Sequence, residues 1–367
     1  MKLTAKQREV YELHHEQGIP LRAIARQLGL HRSTVDDHWK RAKTAMIRDG
    51  ADPERFAPGA TTEVDADGTI TRQWIRTPVE RQSREALTEA IRESLEGVKP
   101  LPTIKAPKGN IKDSMVIMPM GDPHVGLYAY YKEAGEDFDC DIAERDLLAA
   151  TDYLVTVAPP TEECLIINLG DYFHGDSSRN QTTAGTPVDL DTRWSRVLQI
   201  GISILIRVVE RALEKHKKVT VVNATGNHDT ESSVFLCVAM WHHFKDNKRV
   251  EIREPNMFHY YTFGDNLIGI CHGHSVKKER LPGVMAMDQS VAWGKSKHRY
   301  WYTGHIHHRT VLEIDGSLVE SFRTLAAKDA WHHGQGYRAG RDMNAIVMHR
   351  TYGETDRHRC DILRARA

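Results

Sequence analysis

The sequence predicts an α/β fold preceded by a small all-α helix-turn-helix domain. Three observations carry that reading. The first fifty residues have helical periodicity, with a glycine turn between two short apolar faces. From Asp113 onward, short apolar runs alternate with helical stretches. Each of those runs stops at a cluster of Asp, Asn or His beside a glycine.

A chain of 367 residues suffices for two domains, at about 100–200 residues each. Its 50 Lys and Arg balance 50 Asp and Glu, for a formal net charge of zero. That excludes a globally basic nucleic-acid coat and an acidic disordered tail, and leaves room for a local basic module. A content of 40% hydrophobic and 27% charged residues is that of a soluble globular chain with a sizeable core. No apolar segment follows Met1–Leu3, so no secretory signal is expected. The greasiest stretch, Val197–Leu213, is broken by Gln199, Arg207, Glu210 and Arg211, so no membrane span and no membrane partner are expected. Five cysteines, odd in number and without a CxxC, fit a reducing cytosol and a cytoplasmic protein. Histidine is the outlier: of 21, 17 lie after residue 120.

Residues 1–49 read as a helix-turn-helix DNA-binding domain. Thr4 and Gln7 form a capping-box pair ahead of a helix running to about Gln17, which Gly18 and Pro20 stop. Leu21, Ile24, Ala25 and Leu28 then mark one apolar face of a second helix. Gly29 permits a tight turn, and Ser33 with Asp36 offers a second capping box. Val35, Trp39, Ala42 and Met46 face inward on the third helix. Met1–Arg48 carries ten Lys and Arg against five Asp and Glu. The outer face of the third helix presents Arg32, Thr34, His38, Lys40 and Arg41, suited to phosphates or base edges. Asp36 and Asp37 count against DNA, although acids near a helix N-terminus also complement its dipole. The competing reading is a three-helix packing or dimerisation module. The segment resembles the helix-turn-helix of sigma-factor and phage regulatory proteins.

Residues 50–112 form a connector. Glu63–Ile75 alternates around Asp67-Gly68, a hairpin turn. Val79–Gly97 is a charged amphipathic helix, and Pro100, Pro102 and Pro107 make a stiff linker.

Residues 113–367 hold the α/β pattern. Met115–Met120, Cys164–Leu169, Val219–Asn223, Leu267–Cys271 and Tyr300–Thr303 read as strands, and Ile142–Val157 and Trp194–His216 as helices. Ligands collect where the strands of such folds end. The clusters there are Gly121-Asp122-Pro123-His124, Gly170-Asp171-Tyr172-Phe173-His174, Gly226-Asn227-His228-Asp229, His272-Gly273-His274 and Gly304-His305-Ile306-His307. Any one of these histidines alone reads as a core or turn residue; five Gly-flanked clusters in sequence do not. Asp122 with His124, and His305 with His307, are spaced to share one side of an extended strand end, each pair gripping one ion. Carboxylate and imidazole without thiolate suit Mn, Fe or Zn rather than Ca or a structural zinc.

The five blocks resemble the calcineurin-like metallophosphoesterase superfamily, in its order D-x-H, GD, GNH-[DE], H-G-H and GH-x-H, across roughly residues 113 to 310. The resemblance implies a four-layer α/β/β/α metallophosphoesterase sandwich with a dinuclear centre. It implies a first metal held by Asp122, His124, Asp171 and His307, and a second by Asp171, Asn227, His272 and His305, with Asp171 bridging. Two divalent ions are expected, Mn2+ first, with Fe, Zn, Ni or Mg as alternatives. Such a pair, about 3.5–4 Å apart, activates a bridging water as the hydroxide that attacks phosphorus in line. His228 is left for the leaving oxygen, as general acid or charge stabiliser. Asp229 either orients that imidazole or caps a turn or helix. His174 is similar to a histidine of double-strand-break-repair nucleases of the SbcD type, where it helps place the nucleic-acid phosphate. Those nucleases suggest an ATPase partner, and a homo-oligomer is left open beside it. The arrangement as a whole looks like phosphoesterases carried by tailed phages and prophages.

Gly175–Asp191 is a long polar loop expected over the metals, with Arg179 as its phosphate contact. A dense patch from Ser321 to Arg341 reads as a buttress of the site or as a nucleic-acid path. The leading expectation is a dinuclear phosphodiesterase acting on DNA, a nuclease. The alternatives are a small-molecule phosphodiesterase or phosphatase, and a DNA-binding regulator with a metal-binding scaffold.

Overall fold

The computed structural model describes residues 4–16, 21–48, 60–64, 70–75 and 104–367. The chain divides into two compact units, Met1–Glu85 and Ala86–Ala367.

In the first unit, α1 (Ala5–Tyr11) begins with the expected capping box. The Thr4 N–H donates to Gln7 Oε1 at 3.0 Å, and the Gln7 N–H to Thr4 Oγ1 at 3.3 Å. The helix is shorter than expected, because its regular turns give way at Glu12–Glu16 to a wider π-type turn. Gly18 and Pro20 lie outside the described residues. Helices α2 (Leu21–Gln27) and α3 (Arg32–Arg48) follow, with Gly29 between them at φ 62°. Val10, Ile24, Ala25 and Val35 form the small core, with Leu21, Leu28 and Trp39 packed against it. Ser33 does not cap α3. The helix starts one residue earlier, and His31 Nδ1 takes the Ser33 N–H at 3.4 Å instead. Arg32, Thr34 and Arg41 are exposed, whereas His38 is half-buried; the side chains of Asp36, Lys40 and Met46 lie outside the described residues.

Strands β1 (Ala60–Val64) and β2 (Ile70–Ile75) pair antiparallel, as the alternation around Asp67-Gly68 predicts, although those two turn residues are not described. The expected helix Val79–Gly97, Pro100 and Pro102 also lie outside the described residues; Pro107 sits in an irregular stretch before β3.

The second unit is a mixed α/β fold with two sheets. The larger has the order β13-β12-β3-β4-β5-β6, comprising β3 (Ile111–Met120), β4 (Thr161–Asn168), β5 (Lys218–Asn223), β6 (Val250–Ile252), β12 (Asp342–His349) and β13 (Gly353–Asp361). Strands β3 to β6 run parallel, and β12 is antiparallel to both neighbours. The smaller has the order β10-β11-β9-β8-β7, built from β7 (His259–Phe263), β8 (Asn266–Ile270), β9 (His298–Thr303), β10 (Thr310–Ile314) and β11 (Ser317–Ser321). Helices α4 (Cys140–Val157), α5 (Trp194–Leu213) and α6 (Thr230–Phe244) make the crossovers between β3, β4, β5 and β6. Among these, α4 begins at Asp139, whose carboxylate accepts the Ile142 N–H at 2.7 Å.

Alternate side chains of β3 explain why its whole C-terminal half is buried. Val116, Met118 and Met120 pack with Leu147, Leu154, Val197, Leu205 and Leu236 of the three helices. Met115 and Ile117 point the other way, into a cluster with Leu165, Tyr261, Ile268 and Tyr302, which joins the two sheets. On the far side of the smaller sheet, Leu267, Trp301 and Val319 pack on Leu281 and Met285 of α7 (Leu281–Asp288). Each large apolar side chain buried in this way contributes about 1.5–3 kcal/mol. Strands β3, β4 and β5 are parallel to one another, as are β8 and β9, so the residues that follow each set collect at a common sheet edge.

Candidate metal centre

Asp122 and His124 follow β3, Asp171 and His174 follow β4, and Asn227 and His228 follow β5; His272 follows β8, and His305 and His307 follow β9. The peptide leaves its strand sharply at these points. Asp122 has φ 43°, His124 45°, Asp171 48°, His305 70° and His307 55°. Left-handed backbone is unfavourable for a residue with a Cβ and concentrates at functional sites. Five of the seven non-glycine residues with positive φ are thus candidate ligands. The expectation that Asp122/His124 and His305/His307 lie on extended strand ends is therefore corrected: β3 stops at Met120 and β9 at Thr303.

The turn also redistributes the ligands. One group gathers Asp122, His124 and His307; another gathers Asp171, His272 and His305; within each, one ligand atom per residue lies within 4.8 Å of the others. His305 and His307 consequently fall in different groups, not on one ion as their spacing alone suggests. The groups adjoin: the His305 N–H donates to both Asp122 carboxylate oxygens, at 2.9 and 3.0 Å, and Asp122 Oδ1 lies 3.8 Å from His272 Nδ1.

Close approach here requires glycine. A Cβ on Gly226 would stand 2.1 Å from Asp171 Oδ1, and one on Gly304 would stand 2.6 Å from Asp122 Oδ2.

Within the first group, His124 Nε2 and His307 Nε2 face each other at 3.0 Å, and His124 Nδ1 pairs with His174 Nδ1 at 3.1 Å. Within the second, His272 Nδ1–H donates to the Leu169 carbonyl at 2.8 Å. That bond turns His272 Nε2 toward Asp171 Oδ2 and Asn227 Oδ1, each at 3.0 Å. A histidine whose outer nitrogen is held by a carbonyl while its inner one meets carboxylate and amide oxygens has the orientation that metal ligation uses. The donor set, carboxylates, an amide and imidazoles with no thiolate, fits borderline divalent cations. His274 is half-buried, with its ring centroid 5.3 Å from that of His272, and belongs to neither group.

Electrostatics follow burial. Burial pushes Asp122 up to about 7, with the His272 charge opposing and the Asp171 charge adding. Burial also raises Asp171, but the charge and hydrogen bond of His272 outweigh it and hold the carboxyl below its usual range. Reciprocally, His272 is lowered by burial yet carried to about 9 by Asp171 and Asp122. Burial depresses His305 to about 4 and His307 and His174 to about 3, and lowers His124 as well. These imidazoles are held neutral, the form that binds metal.

His124, His174 and His228 form a third convergent group. The His228 N–H donates to Asp171 Oδ1 at 2.8 Å, and its Nδ1–H donates to the His174 carbonyl at 2.9 Å. The latter bond corrects the role expected of Asp229. The carboxylate of Asp229 turns inward, with Oδ2 accepting the Phe173 N–H at 3.0 Å and Oδ1 without a hydrogen-bond partner among the described residues, so it does not orient His228. Asp229 stands at the N-cap position of α6, as the alternative expected, but its carboxylate makes no capping bond. Burial and the charge of Asp171 push Asp229 well above the carboxylate range.

The loop after His174 is stitched to the N-terminus of α6. Asp176 accepts the Glu231 and Ser232 N–H groups at 3.1 and 2.7 Å, and Thr183 accepts that of Thr230 at 3.1 Å. Arg179 is at its exposed tip. The Ser321-to-Arg341 segment supports the site. Thr324 Oγ1 donates to the Asp122 carbonyl at 2.6 Å, and the His332 ring stacks on His307 with centroids 4.8 Å apart. Sequence reasoning marked this patch by density alone; no spacing signal ties it to the five blocks.

Residues 115–309, more than half of the chain, match the calcineurin-like phosphoesterases, and residues 1–46 match sigma-70, region 4. The chain belongs to the calcineurin-like phosphoesterase family, which supports a hydrolase acting on phosphoester bonds with divalent metal ions. No curated protein matches it. Among solved structures, it is similar to zinc-complexed Vps29 from Entamoeba histolytica, at 15% identity and TM-score 0.30, covering 68% of this chain and 99% of that one. It is similar to an archaeal phosphodiesterase at 13% identity and TM-score 0.34, with coverage of 68% and 99%. The E. coli phosphoesterase Yfce is 15% identical at TM-score 0.34, with coverage of 66% and 98%. No helix among the described residues is long and apolar enough to cross a membrane.

Proposed function

We propose that the chain is a dinuclear metal-dependent phosphodiesterase that cleaves DNA in the cytoplasm. In this reading residues 1–49 bind DNA, 50–112 connect, and 113–367 form a four-layer α/β/β/α sandwich. The observation that carries it is the pair of adjoining ligand groups, Asp122/His124/His307 and Asp171/His272/His305. Asn227 would complete the second group and Asp171 would be shared by both ions, with Mn2+ as the first candidate. When bound, the two ions supply charge neutralisation at the phosphoryl oxygens and a nucleophile at neutral pH.

The chain's own residues do the rest. Asp171 is held in place by the His228 N–H and by His272. His228, its Nδ1–H held by the His174 carbonyl, presents Nε2 to the leaving oxygen, which it would protonate or stabilise as the imidazolium. His174 stacks on His228 at a centroid distance of 5.3 Å and fixes His124, which makes it a positioning residue for both. The substrate assignment is supported by the sigma-70 region 4 match and by exposed Arg32, Thr34 and Arg41 on α3, Lys40 lying on the same helix. A small-molecule phosphatase has no use for a helix that reads a duplex.

The test is purified protein with Mn2+ and then EDTA, on labelled single- and double-stranded DNA beside bis-p-nitrophenyl phosphate. Metal-dependent cleavage of both substrate classes is expected. Hydrolysis of the small diester with no DNA binding or cleavage would replace DNA with a small phosphoester.

A further inference from the structure

Beside the ligand groups, a small open cleft of about 50 Å³ is walled on one side by His307 and Thr324. Its other wall is built by the segment after β11, with Lys328, His332, Tyr337 and Arg341. The single acid in the lining is Glu136. Its carboxylate is already neutralised by Arg341, which also donates to the Leu325 carbonyl. Lys328 lies 3.9 Å from the same carboxylate, so a cation is left in excess. His332 is oriented by Asp329, whose Oδ1 accepts both the ring Nδ1–H and the backbone N–H of His332 at 2.7 Å. Its ring makes no other hydrogen bond among the described residues, and it carries the wall onto His307 by stacking.

At the edge of this wall stands Trp331. Its ring is 4.9 Å from that of His332 and 6.0 Å from that of Tyr337, both of which line the cleft, yet Trp331 is 61% exposed. Its ring stands perpendicular to His332 and is tilted 40° to Tyr337, and an indole this exposed is costly to leave in water and suited to stacking. A cation inside a cleft and an exposed aromatic ring at its edge are the two elements that hold single-stranded nucleic acid: charge for the phosphate and a flat surface for the base.

We propose that this cleft is a nucleotide subsite, taking the nucleotide next to the scissile phosphate of an unpaired DNA strand. Lys328 contacts its phosphate, and its base stacks on Trp331. The inference rests on the DNA phosphodiesterase reading and narrows it to strands with unpaired bases. A duplex end would have to fray to enter.

The test is equilibrium binding, by fluorescence anisotropy, of a labelled thymidine hexanucleotide and of an abasic hexamer with the same phosphates. The full chain is used in EDTA, so that no turnover intervenes. The wild type should bind the base-bearing strand about 5- to 150-fold more tightly, the range for one or more stacked bases. Trp331→Ala should lose that preference and Trp331→Phe should keep most of it. Lys328→Ala should weaken both strands together and lower the salt slope by about 1. Equal binding of the two strands by the wild type, or an undiminished preference in Trp331→Ala, would overturn the subsite. Base preference without metal-dependent DNA cleavage would instead sink the nuclease reading and leave the nucleotide site standing.

Discussion

The backbone N–H of His228 donates to Asp171 Oδ1 at 2.8 Å. One hydrogen bond thus couples the carboxylate proposed to bridge two ions with the histidine proposed to serve the leaving oxygen. Gly226, two residues before His228, packs against Asp171 with no room for a methyl group.

His228→Ala removes the imidazole and keeps that backbone bond. Turnover of a diester should fall by about 10²–10⁴, the range for a general acid–base group. Metal content should stay near that of the wild type. Loss of metal in this variant would make His228 a ligand of the His124/His174/His228 group instead.

Gly226→Ala should damage the centre without replacing any ligand. The added Cβ would meet Asp171 Oδ1 at 2.1 Å and the Asp171 backbone nitrogen at 2.2 Å. Overpacking of this kind costs about 1–3 kcal/mol, readable by urea unfolding, and metal retention should drop with it. Wild-type stability and metal content would mean that the turn has slack the geometry does not suggest.

His216 gives a pH signature away from the centre. It is fully buried, its Nδ1 meets the Thr161 hydroxyl at 2.8 Å, and Nε2 has no hydrogen-bond partner among the described residues. Burial lowers it to about 4, against the opposing hydrogen bond from Thr161. The unfolded chain takes up this proton below about 6.5, and the folded chain only near 4. Stability from this group is therefore complete above about 6.5, falls as the pH drops from there toward 4, and is level below. The span corresponds to about 3 kcal/mol. Urea titrations of the wild type and His216→Asn at several pH values should differ most in slope across that window; parallel curves would contradict the assignment.

Arg32→Ala and Arg41→Ala, made in the full chain, test the N-terminal helix. Each should lower the salt slope of duplex binding by about 1 if it neutralises one phosphate. Arg41 starts from a surface pair with Asp37 at 3.1 Å, which is worth only about 0.3–0.5 kcal/mol and so yields readily to DNA. Unchanged salt slopes would return α1–α3 to a packing or dimerisation role.

Much of this was legible in the sequence because the signals are local. The five apolar runs that end in Gly-flanked polar clusters correspond to β3, β4, β5, β8 and β9, and the Thr4–Gln7 box opens α1 as written. Long-range geometry was not legible. Spacing assigned His305 and His307 to one side of a strand, but left-handed turns at both residues send them to different groups, a division that the family resemblance implied and the spacing did not. Adjacency suggested that Asp229 orients His228, yet the carbonyl of His174, distant in sequence, does so. Strands β10 to β13 and the stacking of His332 on His307 depend on pairings that no local pattern encodes.

Counting the ions tests the central claim most directly. The full chain, loaded with Mn2+ and freed of excess, should carry two ions by elemental analysis. Activity on bis-p-nitrophenyl phosphate should reach its full value only when the second ion is bound. Asp171→Asn should lower occupancy of both sites, by more than the ~10–100-fold in affinity that loss of a supporting hydrogen bond costs. A chain fully active with one ion, or an Asp171→Asn variant that keeps one site intact, would contradict a shared, bridged centre.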